Sequence, residues 1–237
     1  MRNVGLRETR GSWNTIPTSP PRILRNCAGA NPSRLTPDNL ISPPVTDAAP
    51  GSKHKTGFFL DQRDNRKTLT DFCAGARVLD LCCNSGGFGI YAKALGGAGD
   101  VVGVALDEDI LQIAAQNARL NKVKVRFIQA DIFAWLRDVA VNNRNAEDKR
   151  FDVVILDPAK MTRDREQVIP ALKKYLDMNK LALAAVKPGG IFLSCSCTGL
   201  VSEEQFLDML RRAAFYANRT IQVIKVTGAG PDHPWLA

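Results

Sequence analysis

The stretch that decides the fold is Val78-Leu79-Asp80-Leu81-Cys82-Cys83-Asn84-Ser85-Gly86-Gly87-Phe88. A short apolar strand runs into a turn of small residues, and a helix-like segment, Ile90 to Leu95, follows. That order leaves backbone N–H groups uncovered at the carboxyl end of a strand, the edge at which open α/β sheets hold their ligands. Small residues are needed there because a side chain would keep a bulky ligand away from the main chain. Taken alone, one Gly-Gly turn is equally an ordinary strand-to-helix connection. The rest of the chain separates the two.

Outward from this turn, short runs rich in Val and Ile recur at Val78–Cys82, Val101–Ala105, Val123–Ile128, Val153–Leu156, Ile191–Ser194 and Ile221–Val226. Runs of this length and composition read as buried strands. Helical patterns lie between them at Phe88–Leu95, Glu108–Leu120, Ile132–Val139, Glu166–Val186 (interrupted by Pro170) and Glu203–Ala217. Asp131 precedes Ala134-Trp135-Leu136 as an N-cap would, and Ser202 with Gln205 spells a capping box. Lys187-Pro188-Gly189-Gly190 is expected to stop a helix and turn into the next strand. The alternation predicts an α/β fold: a doubly wound, mainly parallel sheet with helices on both faces.

The bulk properties fit one such domain with a tail. The chain has 237 residues, 45% of them apolar and 24% charged. Residues 1–50 are expected to be a poorly structured leader, since Pro17, Pro20, Pro21, Pro32, Pro37, Pro43, Pro44 and Pro50 interrupt any regular period. The folded domain is expected over 51–237. No apolar run approaches the roughly 20 residues that span a bilayer, and no secretory signal is recognisable, so a soluble, cytoplasmic protein is expected, with no membrane partner. The net charge of +8 favours a polyanion, nucleic acid foremost. The cysteines, at 27, 73, 82, 83, 195 and 197, show neither zinc-type pairs nor a disulfide scaffold, so no metal is expected and the thiols read as reduced.

The turn itself narrows the ligand. A dinucleotide site wants Gly-x-Gly-x-x-Gly, and Cys83-Asn84-Ser85-Gly86-Gly87-Phe88 lacks that spacing; a Gly-Lys-Ser/Thr phosphate loop is also absent. What the strand ends carry instead are acids: Asp80, Asp131 in Ala130-Asp131-Ile132, and Asp157 in Leu156-Asp157-Pro158. Acids suit a ligand with an ammonium, ribose hydroxyls and an adenine amine but no phosphate, which describes S-adenosyl-L-methionine.

Several segments resemble the bacterial 23S ribosomal RNA (cytosine-5)-methyltransferase family. Lys53-His54-Lys55-Thr56-Gly57-Phe58-Phe59-Leu60-Asp61-Gln62-Arg63-Asp64-Asn65-Arg66 is similar to its opening motif, and Val78–Phe88 to its first cofactor motif. Phe151–Lys160 resembles its Asp-Pro-Pro-Lys motif, Ile191–Leu200 its Ser-Cys-Ser-Gly-Leu motif, and Asp232-His233-Pro234 a later signature. The resemblance implies the class I, Rossmann-like methyltransferase fold. It also implies cofactor contacts from Gln62, Arg63, Asp80, Cys82, Asn84, Ser85, Gly86, Gly87, Phe88, Asp107, Asp131, Ile132, Asp157 and Pro158, and RNA contacts from Lys53, Lys55, Arg66 and Lys160. Ribosomal RNA is the implied partner; a homodimer and a monomer are both open.

The departures are specific. The acid that usually ends the family's second strand is Ala105, with Asp107 and Glu108 just beyond, and the second proline of Asp-Pro-Pro-Lys is Ala159. The family's RNA-binding domain has no counterpart in residues 1–50, and its last strand has none before Ala237, so a gap or an exposed sheet edge is expected.

Cytosine-5 chemistry needs a thiolate that adds to carbon 6 and makes carbon 5 nucleophilic. Cys197, in Ser196-Cys197-Thr198-Gly199, aligns with the family's cysteine; Cys195, two residues earlier on the same strand face, is its rival. Asp157, if protonated, would donate to cytosine N3. Phe58 and Phe59 are candidates for stacking on an unpaired base, or for the core. Three readings are carried forward: cytosine-5 methylation through Cys197, methylation of another RNA base such as guanine without an adduct, and an RNA-binding remnant without turnover.

Overall fold

In the computed structural model, residues 2–8, 59–142 and 150–230 are described. In chain order the elements are β1 (Arg2–Glu8), α1 (Arg63–Thr70), β2 (Arg77–Leu81), α2 (Gly87–Ala94), β3 (Asp100–Ala105), α3 (Glu108–Leu120), β4 (Arg126–Gln129), α4 (Ile132–Asn142), β5 (Phe151–Leu156), α5 (Val168–Ala185), β6 (Val186–Ser196), α6 (Glu203–Tyr216) and β7 (Ile221–Thr227). One seven-stranded sheet has the order β4-β3-β2-β5-β6-β1-β7. Strands β4, β3, β2, β5 and β6 pair in parallel. This is the expected α/β fold with a mainly parallel sheet.

Residues alternate between the two faces because the strand period is two. Leu79 and Leu81 of β2 pack into the core beneath α4, α5 and α6 with Tyr175, Met178, Leu183, Phe206 and Leu210. Val78 faces the other way, towards Leu69 of α1 and Phe88 and Ala92 of α2. Asp80 shares that second face and is 1% exposed, so the apolar run carries a buried carboxyl at its centre. Both faces being covered explains why the run reads as nearly continuous apolar sequence rather than alternating.

Helix ends follow their sequence signals. Asp131 Oδ1 accepts from the Ala134 amide at 2.9 Å. Ser202 and Gln205 complete the capping box, with the Gln205 amide donating to Ser202 Oγ at 3.1 Å and the Ser202 amide to Gln205 Oε1 at 2.9 Å. Pro170 does not interrupt a helix: it falls in the first turn of α5, where a missing N–H costs nothing. Lys187-Pro188-Gly189-Gly190 does not form a turn between helix and strand but lies within β6, which begins at Val186 and shifts register against β5.

The largest correction concerns the leader and the missing strand. Arg2–Glu8 is not unstructured; it is a strand seated between β6 and β7 and antiparallel to both. The gap expected from the resemblance is therefore filled, from the opposite end of the chain. The sequence signal was only Val4 and Leu6 alternating among polar residues, too short to outweigh the prolines that follow. Residues 9–58, which include Lys53, His54, Lys55, Phe58 and the remainder of the expected leader, lie outside the described residues, as do Asp232, His233 and Pro234.

Candidate active site

The carboxyl ends of β2, β3, β5 and β6 bring the candidate residues to one edge of the sheet. After Leu81 the chain turns through Cys82 and Asn84, both in the left-handed region (φ 60° and 49°), and through Gly86 at φ 82°. Asparagine and glycine adopt this conformation readily, whereas a cysteine does so at a cost of order 1–3 kcal/mol that clusters at functional turns. Gly86 caps α2, and the Gly89 amide at its first turn donates to Asp80 Oδ2 at 2.9 Å. Asp80 Oδ1 and Asn84 Oδ1 are buried acceptors without a hydrogen-bond partner among the described residues. Burial, opposed by the Gly89 amide, pushes the Asp80 carboxyl up to about 7.

The opening motif reaches the site through a short 3-10 turn, Leu60–Gln62, leading into α1. Gln62, fully buried, donates from Nε2 to Asp157 Oδ2 at 3.2 Å and accepts at Oε1 from Asn65 Nδ2 at 2.8 Å. Asn65 in turn joins β7: its Nδ2 donates to the Gly228 carbonyl at 3.2 Å, and Thr227 Oγ1 donates to its Oδ1 at 2.7 Å. Asn65 was not singled out in the sequence; its role as the tie between α1 and the end of β7 needs the fold to be seen.

Arg66 is a further correction. Expected among the RNA-facing cations, it is 4% exposed and so sits inside the domain. Its guanidinium lies over the Phe88 ring, 5.5 Å from the centroid, and so close to Gly87 that a Cβ there would meet Arg66 Nε at 2.7 Å. Burial lowers its pKa, against the attraction of Asp157, Tyr91, Asp80 and Asp61. Arg63, by contrast, is partly exposed and pairs with Asp64 at 3.4 Å. Ser85, Gly87 and Phe88 are buried in the turn and first helical residues, Ser85 with its carbonyl accepting from Asn117 Nδ2 at 3.0 Å.

At the end of β3 the expected acid is a buried alanine: Ala105 packs with Cys83, Ile110 and Leu111. Asp107 is exposed, and its Oδ1 accepts from the Ile110 amide at 3.2 Å, so it serves as the N-cap of α3. Asp131 is likewise an exposed cap, next to the buried Ile132. Both carboxylates therefore follow strand ends and hold helix termini.

Asp157 and the two thiols form the other half of the site. Asp157 is half-buried, Pro158 buried and Lys160 exposed. Burial raises the Asp157 carboxyl to about 6, against the pull of Arg66. Cys195 is fully buried beside Asp157 and Gln62, and burial and then Asp157 push its thiol well up. Cys197 is only half-buried, and its Sγ lies 3.7 Å from the Pro158 carbonyl oxygen. Burial and Asp157 raise the Cys197 thiol too, while Lys160 pulls it down. Cys197 is thus the more accessible of the two thiols. The Cys82 thiol, raised to about 12 by burial, is a packing group.

Among the described residues, no cluster of three or more His, Cys, Asp or Glu is arranged to hold a metal. Among the same residues, no helix is long and apolar enough to cross a membrane.

The strand order, the acid-bearing glycine turn and the helices on both faces define the class I Rossmann-like α/β architecture. The profile of the Methyltransferase domain family matches residues 73–234, and the chain belongs to that family. Ribosomal RNA large subunit methyltransferase I of Aeromonas hydrophila is 42% identical over 184 residues, which are 76% of this chain and 45% of that protein. The protein of the same name from Tolumonas auensis is 40% identical over 184 residues with the same coverage. The chain thus spans less than half the length of these relatives. A solved structure of a protein described as a putative methyltransferase, complexed with SAH, superposes with a TM-score of 0.58 at 23% identity, over 67% of this chain and 41% of that one. A protein from Streptococcus mutans described as a putative SAM-dependent methyltransferase gives 0.57 at 22% identity, over 67% and 40%. At these identities the structural likeness speaks to the fold.

Proposed function

We propose that this chain binds S-adenosyl-L-methionine along the turn after β2 and methylates carbon 5 of a cytosine in large-subunit ribosomal RNA through Cys197. The observation that carries the reading is the placement of a half-exposed thiol against the Asp157-Pro158 segment, at the same sheet edge as the turn and two strands from it. The unpartnered buried acceptors Asp80 Oδ1 and Asn84 Oδ1 match ligand donors such as an ammonium or a hydroxyl. When bound, S-adenosyl-L-methionine supplies an electrophilic methyl group. The names of the relatives, Ribosomal RNA large subunit methyltransferase I, point to the same substrate class.

The residues divide the work as their environments allow. Cys197 adds to carbon 6 as the thiolate; once carbon 5 has gained its methyl group and lost its proton, the thiolate is expelled and the ring regains its double bond. Asp157, raised to about 6, is protonated in part near neutrality and can donate to cytosine N3. Its protonation also removes the negative charge that opposes Cys197 ionisation, so one proton serves both groups. Lys160 is exposed beside the site, which supports a contact with an RNA phosphate.

The raised thiol of Cys197 favours a second reading, methylation of another RNA base with the cysteine only packing. Transfer of a labelled methyl group to unmodified large-subunit ribosomal RNA tests the first reading. Wild type should label the RNA and Cys197→Ala should lose at least about a hundredfold in rate. Equal labelling by both proteins would exclude the covalent role.

A further inference from the structure

The end of β6 and the two residues after it alternate hydroxyls and thiols: Ser194, Cys195, Ser196, Cys197, Thr198. The thiols lie on the site side, and the three hydroxyls are buried on the α5 side. Two residues of α5 meet them, Tyr175 and Asn179, one helical turn apart and both fully buried. Asn179 accepts from Ser194 Oγ at 2.7 Å and donates to the Tyr175 carbonyl at 2.7 Å.

The Tyr175 hydroxyl lies between the two residues that flank Cys197. Ser196 Oγ donates to Tyr175 Oη at 3.1 Å, and Tyr175 Oη lies 2.9 Å from Thr198 Oγ1. The Thr198 amide donates back to Ser196 Oγ at 3.3 Å. These bonds close a ring through Ser196, Tyr175 and Thr198, the two neighbours of Cys197 and the phenol between them, and in the Tyr175–Thr198 bond either hydroxyl can donate. The ring is also tied to the opposite wall, because Thr198 Oγ1 accepts from the Met161 amide at 3.1 Å. Met161 follows Lys160 in the segment that carries Asp157 and Pro158. The Tyr175 ring is itself held edge-on by Phe206, 5.6 Å between centroids.

We propose that Tyr175 is a positioning residue for Cys197: its hydroxyl locks both neighbours of the thiol and fixes them to the Asp157–Met161 segment. This rests on Cys197 being the nucleophile. Small displacements of a reacting group are costly, up to about a hundredfold per ångström, so one phenol far from the substrate can set turnover. A hydroxyl-free core residue would fill the same space without that control.

The test is Tyr175→Phe, which keeps the ring and its packing on Phe206, studied beside Thr198→Val and Thr198→Ser. Iodoacetamide alkylation of Cys197 is followed against pH, mapped by peptide mass, together with kcat and KM for RNA. Loosening the ring should accelerate Cys197 alkylation severalfold while kcat falls about tenfold to a hundredfold at nearly constant KM. Thr198→Val should reproduce this and Thr198→Ser should restore wild-type behaviour. An unchanged alkylation profile and kcat within twofold in both Tyr175→Phe and Thr198→Val would overturn the proposal. If Tyr175→Phe does not fold, the Thr198 pair alone decides by the same criteria. Loss of activity in Cys197→Ala alongside an inert Tyr175→Phe would leave the nucleophile in place and remove the positioning role. Full activity in Cys197→Ala would instead remove the nucleophile on which the proposal rests.

Discussion

Single side chains at this sheet edge are held in states their ordinary chemistry disfavours. Asp80 is raised to about 7 chiefly by burial. A carboxyl raised on folding adds stability at low pH, where both folded and unfolded forms are protonated, and that contribution is lost as pH rises through about 7. Asp80→Asn keeps an acceptor for the Gly89 amide and removes the charge, so in the ligand-free protein it should stabilise at pH 8 and be neutral near pH 4. The gain at pH 8 should be on the order of 2–4 kcal/mol, read by urea denaturation at the two pH values; destabilisation at pH 8 would contradict the assignment. Asp157 raises the Cys197 thiol, so Asp157→Asn should shift the alkylation midpoint of Cys197 to lower pH even as methyl transfer falls. A midpoint that stays or rises would separate the two groups. Asp80 and Asp157 stood out together in the sequence because each sits at the end of an apolar strand run. Their protonation states did not, since burial is a property of the packed sheet.

At the scale of elements, the sequence announced most of what the chain builds. Helices α3 and α6 follow the pattern closely because caps and apolar period agree in both. Arg66 was misplaced for a physical reason: a cationic segment reads as solvated, and nothing in its spacing reveals that α1 turns this one guanidinium against Gly87. Tyr175 and Asn179 left a faint mark, two polar groups at helical spacing on an otherwise apolar face, and their partners on β6 appear only when α5 is docked. β1 was the element least visible, and it supports a prediction. It pairs with β6 from Arg2↔Ser196 to Arg7↔Ile191, opposite Cys195 and ending one residue short of Cys197. Deleting residues 1–8 should leave β6 and β7 with unpaired inner edges, raise amide exchange over 191–196 and 221–227, and promote self-association. Unchanged exchange in both strands would show that β1 contributes nothing to the sheet.

For the molecule as a whole, the sheet order explains why distant segments meet: the opening motif, the turn after β2, the Asp157 segment and the thiols at the end of β6 and just beyond it converge although they span residues 62 to 197. The fold was legible from strand–helix alternation alone. The grouping of the candidate residues at one sheet edge was legible from the glycine turn and the Asp157 and Cys197 motifs, and the architecture is the expected one with Ala105 and Ala159 at the two departures. The covalent step is the central claim, and a mechanism-based trap reads it directly. 5-Azacytosine has nitrogen at ring position 5, so no proton can leave and the thiolate cannot be expelled after methyl transfer. The whole chain, incubated with S-adenosyl-L-methionine and large-subunit ribosomal RNA containing 5-azacytidine, should give an adduct stable to denaturation. Peptide mapping should place the nucleotide on Cys197, and Cys197→Ala should give none. Methyl transfer to ordinary RNA without any trapped adduct, or an adduct on Cys195, would contradict it.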